Sequence, residues 1–131
     1  MSQLEFADDV LARIRERGGP FNERAYLFVL AALEHCQNQL PHRRHVSGEE
    51  LACACRDFAI EQYGLLSRTV LEYWGLKGTG DIGRIVFALI EVGLLKAQDN
   101  DRPEDFDSVY AFHEAFEAEY PWGAWREEWR D

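Results

Sequence analysis

His35, Cys36, His42, His45, Cys53 and Cys55 fall within twenty-one residues, a crowding of histidine and cysteine that raises the question of a metal site. Zinc sites hold thiolates in CxxC-type pairs that reach one ion. Cys53 and Cys55 lie two positions apart instead, and on a helix their side chains diverge by about 200°. They cannot share an ion, and a buried cysteine serves as a small hydrophobe. Asp99, Asp101 and Asp105 imitate a calcium loop only superficially. Counted from Asp99, the sixth position is Glu104 where glycine is needed, and the twelfth is Tyr110 where glutamate is needed. There is no GxSxG elbow, P-loop or HExxH, and no clear strand precedes GTGDIG as dinucleotide binding would require. No metal, cofactor or catalytic residue is expected, and the chain reads as no enzyme.

Binding chemistry has three candidate seats. His42-Arg43-Arg44-His45 is the compact basic cluster, placed just before a helix start at Ser47. Two arginines there suit a phosphate, an RNA or ribosomal surface, or a partner's carboxylate. The competing reading is a solvated loop with Arg44 paired to a nearby acid. On the helix expected over 80–91, the outward face is Asp81, Arg84, Ala88 and Glu91, with Phe87 beside it. Base readout needs several donors and cations, and this face offers one arginine against two acids. Residues 42–96 balance seven basic against seven acidic residues. Phe87 either meets a protein partner or widens the core stripe. Trp122, Trp125 and Trp129, at i, i+3 and i+7 on an acidic tail, suit either a partner's groove or this domain's own core.

The elements that position these residues read as helices. Ser2 and Glu5 form a capping-box pattern opening a helix over 2–18, stopped by Gly18-Gly19-Pro20. Asn22 caps a second helix to about Gln39, apolar on nearly all sides and therefore central. Ser47 and Glu50 form another capping box, and that helix ends near Gly64 with Leu51, Cys55, Phe58 and Gln62 inward. A short helix follows over 66–73 with Val70 and Leu71 inward. Trp74–Leu95 is the strongest pattern: Thr79 as N-cap, then Ile82, Ile85, Val86, Leu89 and Ile90 as one stripe, and Gly93 as the stop. Leu94–Gln98 suggests a short strand. Residues 105–120 read as strand or helix, and 121–131 as the Trp-rich acidic tail. The expected fold is mainly α (α+β), one domain over 1–131 with 22–98 as helical core. Its middle has the outline of a winged helix-turn-helix, with at most a short two-stranded ribbon.

Size and apolar content (131 residues, 47% hydrophobic) suffice for one core without disulfides. The net charge of −10 is concentrated at 99–131, where eleven acids face three bases, which disfavours non-specific nucleic-acid binding there. No apolar run spans a bilayer, three cysteines make an odd set, and the N-terminal stretch is acidic. On these features the chain is expected to be cytoplasmic and to meet no membrane.

RHVSGEEL (44–51), WGL with T.DIG.IVF.LI (74–90) and DF..VY.F..AF (105–116) resemble segments of a family of small, uncharacterised bacterial proteins. The resemblance covers about 25–117 and implies one compact domain; it implies no activity and no catalytic residue. The expected function is a non-enzymatic protein-interaction module, whose surface combines the Trp tail, Phe87 and the His42–His45 loop. The alternative is a nucleic-acid- or ribosome-associated factor using Arg43, Arg44 and Arg84.

Overall fold

Of the helix expected over 2–18, the described part is Val10–Arg17, and Ser2–Gln3 is not helical. The computed structural model describes residues 2–3, 10–42, 44–98 and 101–118. Residues 2–3 are extended: β1 (Ser2–Gln3) pairs antiparallel with β2 (Leu95–Lys96), Ser2 opposite Lys96 and Gln3 opposite Leu95. The reason is backbone satisfaction. Leu95 is buried, so the polar backbone around it needs partners that water cannot supply, whereas a capping box is worth only about 1 kcal/mol. Helix α1 (Val10–Arg17) buries Ile14 and ends where Gly18 turns left-handed at φ +68°.

Local caps then act as expected. Asn22 Oδ1 accepts the Arg24 N–H at 2.9 Å and starts α2 (Glu23–Asn38), whose Ala25, Tyr26, Phe28, Val29, Ala32 and Leu33 are buried. Both arms of the second capping box form: Ser47 Oγ accepts the Glu50 N–H (3.1 Å), and Glu50 Oε1 accepts the Ser47 N–H (3.0 Å). Helix α3 (Gly48–Tyr63) buries Leu51, Ala52, Cys55, Ala59 and Ile60. Phe58 is half-buried and Gln62 exposed, so the buried face is rotated toward Ile60. A 3₁₀ turn (Gly64–Leu66) leads into α4 (Ser67–Tyr73), with Leu71 fully inward and Val70 half-buried.

Helix α5 (Thr79–Glu91) buries Ile82, Ile85, Val86 and Leu89 of the stripe read from the sequence, while Ile90, its fifth member, is half-buried. Its cap is Gly78 and not Thr79. Thr79 is the buried first helical residue, and its Oγ1 accepts the Val109 N–H at 3.2 Å from thirty residues away. The start is steadied instead by Asp81, whose Oδ2 accepts the Lys77 N–H (2.9 Å). Gly93, at φ +83°, ends the helix region.

Residues 101–112 form a strap across α3 and α5. Among the described residues, β2 finds its partner at the N-terminal end, and 94–110 closes no hairpin of its own. Phe106 lies in a 3₁₀ turn (Pro103–Phe106), fully buried, and fits because two helical glycines lack a side chain. A Cβ at Gly83 would stand 2.9 Å from Phe106 Cβ, and one at Gly48 3.1 Å from Phe106 Cε2. Tyr110 donates its hydroxyl to Ala52 O at 2.7 Å. From Phe112 the chain is helical, and Phe112 packs edge to face at 5.2 Å on Phe116, which lies within a π-helical turn (Glu114–Ala118). The result is a mainly helical, compact domain, and no helix among the described residues is long and apolar enough to cross a membrane.

Candidate interaction surface

The basic loop is built from α2 outward. Gln37, buried at the end of α2, donates from Nε2 to Arg44 O (3.3 Å) and draws the loop onto the helix. Arg44 then forks onto Glu50, with Nη1 3.1 Å from Oε1 and Nη2 2.6 Å from Oε2. The guanidinium, together with the Ser47 N–H, holds the Glu50 carboxyl down to about 2. Arg44 is thus committed to the acid of its own capping box, the local pairing that competes with anion binding.

His45 is committed as well. Its Nε2 lies 2.7 Å from Asp101 Oδ2, and the same oxygen accepts the Gln98 N–H (2.8 Å), tying the loop to the strap. These two hydrogen bonds hold the Asp101 carboxyl below its ordinary range although burial opposes them. His42 is exposed, and Arg43 lies outside the described residues.

On α5, Arg84 is exposed and stands 3.9 Å from Asp81, so its charge faces an acid. Phe87 is half-buried against the core and does not project. The glycines of Gly78-x-Gly80-x-x-Gly83 open α5, but α4 and a loop precede them where a dinucleotide site has a strand. Gly83 faces Phe106 instead.

The cysteines are free thiols, and burial pushes the Cys36 and Cys55 thiols up. His35 packs on Phe58 with the rings tilted at 42° (5.1 Å between centroids) and reaches Glu61 Oε2 at 3.1 Å. Among the described residues no group of three His, Cys, Asp or Glu side chains is placed to hold a metal ion. Trp122, Trp125 and Trp129 lie outside the described residues.

The surface that stands out is one the sequence reading passed over. Leu65 is 58% exposed, Leu66 62% and Tyr73 82%, all on the 3₁₀ turn and α4. Leu66, Val70 and Tyr73 recur at i, i+4 and i+7, one face of the helix, while Ser67, Leu71 and Trp74 take the core side. The support is rigid. The Ser67 hydroxyl is 2.9 Å from Ala59 O and 2.7 Å from Gly64 O, fixing α4 to the end of α3. Behind it, the Trp74 ring packs 5.7 Å from Phe28 and edge-on to Tyr63 at 5.8 Å. A signal was available: Leu65-Leu66, Val70 and Tyr73 give this short helix more apolar positions than one buried face can use. The 3₁₀ turn after Gly64 sets which of them face out.

No protein-family model, curated protein or solved structure matches the chain.

Proposed function

We propose that the protein is a non-enzymatic interaction module whose protein partner docks on the face formed by Leu65, Leu66, Val70 and Tyr73. One observation carries this reading: Leu65, Leu66 and Tyr73 stand exposed on the 3₁₀ turn and α4, which the Ser67 hydroxyl seats on the end of α3. Single exposed leucines are ordinary, but an apolar cluster held out by a rigid support is what protein partners bury. The cations that a nucleic-acid reading needs find acids first, Arg44 at Glu50 and Arg84 at Asp81. The docking face is therefore the 3₁₀ turn with α4, not the basic loop or Phe87.

The test is affinity capture from cell extract by the wild-type chain and by Leu66→Asp with Tyr73→Ala, each with and without nuclease. Both positions are exposed, so circular dichroism should report the same fold. A protein retained by the wild type after nuclease treatment and lost by the variant supports the proposal. Partners that vanish on nuclease treatment, are held equally by both proteins and are lost from Arg43→Glu with Arg44→Glu refute it in favour of a nucleic-acid-associated factor.

A further inference from the structure

We infer that the α4 face takes a second copy of this chain, the two α4 helices lying antiparallel across a twofold axis. The inference rests on the docking reading above and names its partner.

The stripe is self-complementary. Leu66, Thr69, Val70 and Tyr73 fall at i, i+3, i+4 and i+7, a spacing that reads the same in both directions about the midpoint between Thr69 and Val70. Leu66 and Tyr73 project from its ends, Thr69 is exposed and Val70 half-buried. A twofold contact joins residue i to j and j to i at once. With the axis at that midpoint, Leu66 of each copy meets Tyr73 of the other, and Thr69 meets Val70. The large side chains then stand at the ends and the small ones at the crossing, where packed helices approach to about 8–10 Å.

The charges obey the same axis. One flank of the stripe, with Ser67 and Leu71, is spent on the core. The other carries Arg68 and Glu72, paired through Nε and Oε2 at 3.0 Å. An antiparallel pairing sets this flank against itself in reverse order. Arg68 thereby comes within one residue's rise, about 1.5 Å along the axis, of Glu72 of the second copy. Opposite charges meet at both symmetric points, and the complementarity selects this orientation. Helix α4 has seven residues and spans about 10 Å, so the contact falls below the roughly 800 Å² per partner of a standard interface. The dimer is therefore weak and concentration-dependent.

Sedimentation velocity on the full chain tests it at physiological salt, where repulsion between two chains of net charge −10 is screened beyond about 8 Å. The wild type should pass from monomer to dimer as concentration rises toward about 1 mM, and Leu66→Asp with Tyr73→Ala should stay monomeric. Arg68→Glu and Glu72→Arg should each weaken self-association on the order of tenfold, because like charges then meet at two points. Mixing these two variants should restore dimers, since each carries the charge that the other lacks. A pair acting only within its own helix cannot produce that rescue. A wild type monomeric throughout, a dimer untouched by the face variant, or a mixture no more associated than its components overturns the inference. Partner capture keeps the two proposals apart. If the chain is monomeric but capture is lost in the face variant, the docking face stands with an external partner and the second copy falls. If the face variant abolishes the dimer and retains every captured protein, the second copy stands and the external partner falls.

Discussion

Replacing Gly83 by alanine should destabilise the domain, the reverse of what helix propensity alone dictates. In an unobstructed helix interior, glycine to alanine gains about 1 kcal/mol. At Gly83 the added methyl would stand 2.9 Å from Phe106 Cβ, 2.9 Å from Cδ2 and 3.0 Å from Cγ. Carbon atoms prefer about 3.5–4.0 Å, so every one of these contacts lies on the repulsive wall. Rotating the Phe106 ring cannot relieve them all, because Cβ moves only with the backbone. That backbone is held on one side by His45–Asp101 and on the other by Thr79–Val109. Overpacking of this kind costs about 1–3 kcal/mol, and with backbone as well as ring atoms in the way the cost lies in the upper part of that range, so after the propensity gain a net loss of up to about 2 kcal/mol remains. For a chain of this size that lowers Tm by up to about 7 °C. Thermal unfolding followed by far-ultraviolet circular dichroism measures it. A double-mutant cycle adds the mechanism: Phe106→Ala alone should cost about 3–5 kcal/mol, and the Gly83 methyl should then recover at least about 0.5 kcal/mol by entering the void. A Gly83→Ala protein with Tm equal to or above wild type would refute the wedge.

Asp101→Asn should lower stability by about 1–2 kcal/mol at neutral pH through loss of the charged bond to His45. Because the folded Asp101 pKa is depressed, its contribution is complete above the ordinary aspartate range and disappears as pH falls through the folded value. The Tm gap between wild type and variant should therefore close in acid. Glu50→Gln should show the same sign, its contribution lost as pH falls from 4.5 toward about 2. Since Arg44 and Glu50 are well exposed, solvent screening limits the effect to about 1 kcal/mol. Thr79→Val should cost about 1–2 kcal/mol by stranding the Val109 N–H, while Thr79→Ser restores most of it; equal losses in both would remove the hydroxyl's role. Ile85→Glu or Leu89→Glu, each fully buried, should abolish the folded circular dichroism spectrum, and a folded variant would show the stripe is not core.

What the sequence made legible was what neighbours within one turn decide. Asn22 reaches Arg24, Ser47 and Glu50 reach each other, and the α5 stripe repeats with the helix itself. What it concealed depends on residues far apart. Ser2 and Glu5 spell a capping box, yet residues 2–3 are recruited by an edge ninety residues away. Thr79 looks like a cap, but its hydroxyl serves Val109. The His42–His45 loop was visible as charge, while the charge that neutralises part of it was visible only for Arg44, six residues from Glu50. His45 finds Asp101 across fifty-six residues, which no local pattern announces. The α4 face was missed because a 3₁₀ turn resets helical phase, and phase decides which of several apolar side chains is left outside.

The strap's anchors have a kinetic meaning. They join residues 56, 58 and 30 positions apart, whereas the helices they clasp close through local contacts. Closing such long loops costs entropy that is recovered only once both ends are seated, so helices assemble early and the strap locks late. The same ordering runs backward in the native state. Opening the strap exposes Phe106 and frees the turn before α3, while the helix contacts among α2, α3 and α5 persist. Native-state hydrogen exchange should therefore show the amides at 101–110 opening below the global unfolding threshold, ahead of those in α2, α3 and α5.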